Sequence, residues 1–389
     1  MTAPSYARPL RLGMVGGGAG AFIGPVHRLA ARLDGKYELV AGALSSRPEV
    51  ARDSGLALGL VPDRIYTDYL RMAEIESARP DGIEVVSIVT PNHLHHEQIV
   101  AFLEAGISVI CDKPVTTTLA EAQALRLVQP ARNARFLLTH TYTGYPMARM
   151  ARQLVAAGAL GSLRVVQVEY CQDWLATGIE NENRQASWRT DPAQAGAGGC
   201  IGDIGTHAWQ LLRYVSDLHP LQIAADLSTH VPGRRVDDNV QAMLRFESGA
   251  RGALWASQVA TGRGNSLRLR LYGDQASLEW DQESPETMRY CPLGQPPQIL
   301  SRGGHLPAGQ KWQEDLRLPQ GHPEGYIEAF ATLYSQFHAE LTGTAGPGLV
   351  PLPGLADGID VMTFVETALT SHRAGGTWIG WPWPESSKR

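Results

Sequence analysis

A short apolar run, Leu10 to Val15, ends directly in Gly16-Gly17-Gly18-Ala19-Gly20, and a helical pattern from about Gly24 to Leu33 follows. This constrains the chain more than any other feature. A strand that stops in glycines and restarts as a helix is the opening of a dinucleotide-binding βαβ unit. The glycines permit a tight turn and let backbone N–H groups approach a pyrophosphate at the helix N-terminus. Gly16 and Gly18 take the first two positions of that fingerprint. The third glycine is late: Ala21 stands where it would normally fall, and Gly24 follows. We read an insertion, Ala19-Gly20-Ala21, ahead of Phe22-Ile23-Gly24, with Phe22 and Ile23 in the expected cofactor-binding set. A glycine-rich turn without a ligand is the plain alternative; its place after the first strand favours a nucleotide site.

The pattern then repeats. Tyr37 to Leu44 reads as a strand, Pro48 to Gly55 as a helix, and Ile83 to Val89 as a buried β-branched strand. Thr90-Pro91-Asn92 stops it and a helix runs to Gly106. Ile107 to Cys111 is a strand stopped by Asp112-Lys113-Pro114, a helix covers Leu119 to Val128, and Phe136 to Thr139 is a further strand. Strands alternating with helices of this length predict an α/β, doubly wound parallel sheet over residues 1–140. After His140 the rhythm changes. A helix spans Pro146 to Ala157, a strand Leu163 to Tyr170, an irregular Gly-rich stretch Gln172 to Gly202, and a helix Ile204 to Val215. Strands follow at Leu221–Thr229, Val240–Phe246, Ala250–Val259 and Ser266–Gly273, the middle pair a hairpin through Glu247-Ser248-Gly249. Ser284 to Gly321, rich in Pro and Gly, reads as a long loop. Helices at Gly325–Leu341 and Leu355–Ala374 close the chain. Residues 141–389 are therefore expected to form a second, α+β unit with a mostly antiparallel sheet, whose C-terminal helix can pack back on the first.

Composition bounds the function. A chain of 389 residues suggests two to three domains. It has 43% hydrophobic and 19% charged residues, ordinary for a globular protein, and 34 basic residues against 39 acidic give a net charge of −5. Without a basic run, nucleic acid is not the expected partner. Cys111, Cys171, Cys200 and Cys291 have no metal-ligand spacing and read as free thiols of a reducing compartment. There is no signal-peptide pattern and no long apolar span. The expected location is the cytoplasm, with no metal and no membrane partner.

Three further motifs carry chemistry. The end of the second strand is the ribose position, and NAD-selective sites usually hold a carboxylate there. This chain has Ser45-Ser46-Arg47 and no acid before Glu49, a set able to accept a 2′-phosphate; the cofactor is read as NAD or NADP, leaning to NADP or dual use. Thr90-Pro91-Asn92-His93 and Asp112-Lys113-Pro114 end two parallel strands, where ligands bind in such sheets. Lys113 there could polarise a substrate oxygen or move a proton, the alternative being plain solvation. His93, His95 and His96 read as structural or solvated rather than as metal ligands. In Gly202-Asp203-Ile204-Gly205-Thr206-His207, Asp203 and His207 share a helix face, pairing an acid near a helix start with an imidazole suited to take a hydroxyl proton. An N-cap Asp with a core His is the alternative.

Taken in order, the glycine turn, Thr90-Pro91-Asn92-His93, Lys113-Pro114 and Gly202-Asp203-x-x-x-His207 resemble the glucose–fructose oxidoreductase / inositol dehydrogenase (Gfo/Idh/MocA) family over nearly the whole chain. The resemblance implies a Rossmann domain followed by a domain with a large open sheet that usually makes the subunit interface, hence a homodimer or homotetramer. It implies NAD(P)-dependent chemistry at a hydroxyl or ketone of a sugar or cyclitol. Carried over by position, Lys113 lies between nicotinamide and substrate, Asp203 holds substrate hydroxyls, and His207 is the general acid/base. Gly16, Gly18, Phe22, Ile23, Ser45, Ser46, Arg47, Thr90, Pro91, Asn92, His95, Lys113 and Pro114 form the expected cofactor set. Two departures stand out: Asp112 replaces the usual Glu before Lys-Pro, and Thr141 to Pro146 lacks the Asn and Arg often found there. Segments like Gln172-Asp173-Trp174 and Trp188-Arg189 line the sugar pocket in sugar-oxidising relatives, so Asp173, Trp174, Trp188 and Arg189 join the substrate set. Tyr142, Asp238 and His322 are weaker members. Two other readings remain at this point: a redox-neutral sugar-modifying enzyme that retains its cofactor and acts through a keto-sugar, and a catalytically silent nucleotide-binding sensor.

Overall fold

The computed structural model describes residues 8–196, 198–304, 316–346 and 350–382. The first sheet is parallel, in the order β2-β1-β3-β4-β5. Its strands are β1 (Leu10–Gly16), β2 (Tyr37–Ala43), β3 (Val85–Val89), β4 (Ser108–Cys111) and β5 (Phe136–Leu138). Every residue of β3 and β4 is buried, as a strand covered by helices on both faces requires. The helices are α1 (Ile23–Leu33), α2 (Pro48–Ala57), α3 (Tyr69–Ala78), α4 (His95–Glu104) and α5 (Leu119–Ala124). Local chemistry sets their starts: Pro48 opens α2, Asp68 caps α3, and Thr118 with Glu121 forms a capping box on α5. Helix α3 was not anticipated from the sequence. Because strand order reverses at β1, the carboxyl ends of β1 and β3 splay apart and leave a crevice between their loops.

Helix α6 (Pro146–Ala156) leads into β6 (Leu163–Cys171), and two short helices, α7 (Arg184–Arg189) and α8 (Pro192–Ala195), occupy the stretch expected to be irregular. After α9 (Thr206–Ser216) come β7 (Pro220–Ser228), β8 (Asn239–Phe246), β9 (Arg251–Ser257), β10 (Ser266–Gly273), β11 (Ala276–Asp281), β12 (Thr287–Pro292) and β13 (Gln298–Ser301). With β14 (Ile379–Gly380) they build a nine-stranded sheet, β13-β12-β11-β10-β6-β9-β8-β7-β14. All pairings are antiparallel except β6 with β9. The expected β8–β9 hairpin is present, with Arg245 opposite Arg251. The reading of Ser284 to Gly321 as a long loop is corrected in part: β12 and β13 lie inside it, while 305–315 fall outside the described residues. β12 and β13 are the last two strands at one end of the sheet, β13 at its edge, and bury little, so buried Met288 between exposed Thr287 and Arg289 is nearly their whole signal, too little to outweigh the surrounding Pro and Gly.

Two helices return to the first sheet. In α10 (Tyr326–Leu341), Phe330, Leu333, Tyr334 and Phe337 share a core with Val26, Ala30 and Val85. In α11 (Leu355–Arg373), Ile359 and Met362 join the core around Val115 and Leu138. Among the described residues no helix is long and apolar enough to cross a membrane. The four cysteines are free thiols.

Candidate active site

The turn after β1 is built for close approach. Gly16, Gly17 and Gly20 have φ of +80°, +75° and +80°, a region L-residues rarely adopt. A Cβ on Gly18 would stand 2.7 Å from the Leu44 carbonyl oxygen, and one on Gly24 would stand 2.5 Å from Gly17 Cα. Gly24 therefore supplies the close contact between turn and helix that the third fingerprint glycine supplies, and the intervening residues bulge without moving it. Ser54 Oγ accepts the Ala19 N–H at 3.0 Å and anchors the bulge. From this turn a cleft of about 640 Å³ runs across the carboxyl ends of the parallel strands. It is lined by Gly16, Gly18, Phe22, Ile23, Ser45, Ser46, Arg47, Thr90, Pro91, Asn92 and Lys113, and from the second unit by Trp188, Arg189 and Asp203. A side-chain-free turn at a helix start, opening into a long cleft, fits a dinucleotide.

Lys113, directly after β4, donates from Nζ to Asp203 Oδ1 at 2.8 Å and to the Asp203 carbonyl at 2.7 Å. Gln258 Nε2 donates to Asp203 Oδ2 at 2.8 Å, and Arg189 Nε stands 3.4 Å from the same oxygen. Burial works against this carboxylate's charge, but Lys113 and Arg189 outweigh it and hold Asp203 well below the usual range. Asp203 is thus neither a helix cap nor a plain α-helical neighbour of His207. It lies in a π-helical turn, Ile201–Gly205, that leads into α9, a distortion common at functional sites.

His207 is 8% exposed, and its ring stands 4.9 Å from that of Tyr142 and 6.0 Å from that of His140. Burial first, then Lys113, drives its pKa well below 6.5, so the ring is neutral near pH 7 and ready to accept a proton. Behind Lys113, Asp112 accepts the Lys113 N–H at 3.0 Å and the Thr139 hydroxyl at 3.1 Å. It stays ionised despite burial because His27 and Lys113 stand beside it.

Of the substrate set, Arg189 stacks on Trp188 at 4.2 Å and stands 6.0 Å from the Trp174 ring. Tyr142 lies against His207, and its hydroxyl forms a short hydrogen bond with Tyr170. Other residues have different roles. His95 is fully buried, and its two ring nitrogens face the carbonyls of Pro114 and Thr90 at 2.8 and 2.9 Å. It ties the two strand-end loops together from beneath, and Pro114 is its partner. Asp173 accepts the Gly262 N–H at 2.9 Å, which makes it a loop brace. Asp238 is buried and accepts from His230, Val231 and Arg234 to close the β7–β8 turn. His322 is exposed, with backbone bonds to Pro319 and Arg302; among the described residues its ring meets neither Lys113 nor His207.

Sequence reasoning passed over Gln258, Tyr170, Asn265 and His140. Asn265 joins the Tyr142–Tyr170 pair, its Oδ1 accepting from Tyr170 at 2.7 Å and from Gln172 at 2.6 Å. A polar side chain next to a strand end, as Gln258 is after β9 and Asn265 before β10, is too common a pattern to flag either. His140 had a usable signal, because it follows β5 as Lys113 follows β4.

Comparison with known proteins agrees with this geometry. Residues 10–142 match the oxidoreductase family with an NAD-binding Rossmann fold, and residues 148–279 match the GFO/IDH/MocA C-terminal domain. An oxidoreductase from Sinorhizobium meliloti is 46% identical with a TM-score of 0.87, the match covering 96% of this chain and all of that one. An inositol dehydrogenase homolog from Azotobacter vinelandii, solved with NADH and myo-inositol, is 35% identical with a TM-score of 0.88, over 96% and 98% of the two chains. Levoglucosan dehydrogenase of Pseudarthrobacter phenanthrenivorans is 28% identical over 96% of this chain and 98% of its own. With a glycine cradle, a strand-end lysine and an Asp–His pair in the family's order, and matches across both sheets, the chain belongs to the GFO/IDH/MocA family of NAD-dependent oxidoreductases.

Proposed function

We propose that the protein oxidises one ring hydroxyl of a cyclic polyol, an inositol, a sugar or a glycoside, to a ketone. Residues 1–140 bind the cofactor and residues 141–389 form the substrate and assembly unit. The observation that carries this reading is the Lys113–Asp203 contact in the cofactor cleft, with the buried imidazole of His207 near both groups. A bound nicotinamide dinucleotide supplies the hydride acceptor. Lys113 directs its ammonium at the substrate oxygen, and His207 takes the hydroxyl proton as the carbon gives up hydride. Asp203, ionised, orients Lys113 and accepts from neighbouring hydroxyls. Trp188 and Trp174 offer apolar faces to ring C–H groups, and Arg189 binds hydroxyl oxygens. The relatives named for inositol and levoglucosan support a ring alcohol as substrate. The test is absorbance of the reduced nicotinamide with NAD or NADP against inositols, aldoses, anhydrosugars and glycosides; no rise with any class overturns the reading.

Ser45, Ser46 and Arg47 support use of NADP alongside NAD. All three line the cleft, and Ser45 Oγ accepts the Arg47 N–H at 3.1 Å, ordering the turn. Arg47→Glu is expected to lower the NADP-to-NAD ratio of kcat/KM by about tenfold or more, since it replaces an attraction to the 2′-phosphate with a repulsion. An unchanged ratio would show that Arg47 does not meet the ribose end.

The nine-stranded sheet supports a homodimer or homotetramer. Its strands carry Val165, Leu221 and Met243 at 42%, 45% and 56% exposure, apolar side chains that a self-complementary interface would cover. Light scattering on the purified protein is expected to give a dimer or larger; a monomer at micromolar concentration would reject this assembly.

A further inference from the structure

Gln258 follows β9 and is 2% exposed. The proposed chemistry gives it no part, yet its amide reaches the centre of the site: Nε2 donates to Asp203 Oδ2 at 2.8 Å. The other oxygen, Oδ1, accepts from the Lys113 ammonium, also at 2.8 Å. The carboxylate is thus divided, one oxygen on a cation that lines the cleft and the other on a buried neutral donor. Arg189 is the looser partner. Its Nε stands 3.4 Å from Oδ2, while its Nη1 is engaged on its own helix, donating to Gln185 Oε1 at 2.7 Å. Lys113 and Arg189 are also long, partly exposed side chains with much rotamer freedom, poor anchors for a carboxylate. Gln258 is anchored at its backbone. Its N–H donates to the Asp238 carbonyl at 2.9 Å, and its carbonyl accepts the Leu175 N–H at 3.2 Å. Arg234, buried, donates from Nη1 to the Asp238 carboxylate at 3.1 Å and to the Leu175 carbonyl at 3.0 Å, so both neighbours of Gln258 are tied to one guanidinium.

We infer that Gln258 is a positioning residue: by holding Asp203 Oδ2 it keeps Oδ1 on Lys113 and so fixes the ammonium in the cleft. This rests on the proposed alcohol oxidation, in which that ammonium meets the substrate oxygen. No bond is made or broken at Gln258. An amide suits the task because it donates a hydrogen bond without adding charge, to a carboxylate that already faces two cations. Without it Asp203 turns with its flexible partners, and Lys113 leaves its place. The charged and titratable groups facing Asp203 are Lys113 after β4, Arg189 on α7, His207 on α9, Cys200 before the π-helical turn, and Tyr142, Tyr170 and Tyr326. Burial keeps the thiol and the three phenols protonated and His207 neutral, while Lys113 and Arg189 keep Asp203 ionised. Asp237, which accepts the N–H groups of Gly199 and Ile201, is pushed up to about 6 by burial. A carboxyl introduced at position 258 would join this set as a new titrating group against Asp203, and burial together with the Asp203 charge would raise its pKa.

The experiment is steady-state oxidation of the best ring alcohol by the full-length wild type, Gln258→Glu and Gln258→Met, from about pH 6 to 9, a range that brackets the titration of a buried carboxyl. Glu has the shape of Gln. Protonated, it donates to Asp203 Oδ2 as the amide does; ionised, it sets a second negative charge against Asp203, and carboxylates so close share a proton rather than both ionise. The ratio of Gln258→Glu to wild-type kcat is therefore expected to fall about tenfold or more as pH rises, with NADH affinity within about threefold. Asp237 titrates alike in both proteins and cancels in the ratio. Gln258→Met, close in volume and without a donor, is expected to lose about tenfold in kcat at every pH with KM within about threefold. A Gln258→Glu ratio that does not change with pH, whether high or low, marks a residue that only fills space and overturns the inference, as does full kcat in Gln258→Met. Should one variant fail to fold, the other decides by the same criteria. A wild type inert toward every ring alcohol removes the proposed function and this role together, whereas an active wild type with unaltered variants removes the role alone.

Discussion

Lys113→Ala is expected to lower kcat by about a thousandfold or more, and His207→Ala by about a hundredfold or more, with both variants folded. Lys113 would bring a positive charge to the oxygen on which charge changes during reaction, in a cleft shared with Trp188 and Asp203 of the π-helical turn, where such a charge acts with little screening. His207 is a buried imidazole near Lys113 and Asp203, kept neutral by burial. The fold should survive because Asp203 keeps Gln258 and Arg189 as partners after Lys113 is removed. The Lys113 and Asp203 side chains are 13% and 18% exposed, so the loss should fall below the ~3–5 kcal/mol of a fully buried pair. The check is the rate of reduced-nicotinamide formation alongside thermal unfolding of each variant. Near-normal turnover in both would remove these residues from the chemistry.

Gly24→Ala is expected to weaken cofactor binding by about tenfold or more and to lower the melting temperature. The added Cβ would lie 2.5 Å from Gly17 Cα and 2.9 Å from Gly17 O. Both are backbone atoms, so no rotamer change relieves the clash, and either α1 or the glycine turn must shift. Both would offer N–H groups to the pyrophosphate, and a displacement of even ~1 Å degrades hydrogen bonds whose useful range is only about 2.7–3.2 Å. Titration with NADH, followed by nicotinamide fluorescence, measures the effect. Wild-type affinity in a folded Gly24→Ala protein would mean that the insertion had moved the close contact elsewhere.

Much of this architecture is legible in the chain because the relevant forces act over a few residues. The glycines after β1 report backbone angles forbidden to other residues, and the all-buried β3 and β4 report a parallel sheet covered on both faces. The Thr118–Glu121 capping box marks the start of α5. From these follow the Rossmann half and the ends of its strands, with Lys113 just after one of them, while Asp203 and His207 stand out only through their own Gly202–His207 motif. Where the signal per residue is weak, the reading thins: β12 and the edge strand β13 bury few residues and vanish among prolines and glycines. Single polar residues such as Asp173, Asp238 and His322 attract attention by type alone, and the fold puts the first two to work bracing turns.

The chain's local chemistry names the reactive side chains but not their partners. Lys113 and Asp203 are 90 positions apart, and Gln258 lies 55 further on; they meet because the π-helical turn before α9 is docked against the strand ends of the first sheet. The same docking buries His140 against His207 and draws Arg189 over the cofactor cleft. No propensity or period records such contacts, since they depend on how two sheets and two returning helices share a core. Residue types and local turns therefore specify what chemistry is available, and the long-range packing of the two sheets decides which groups perform it together.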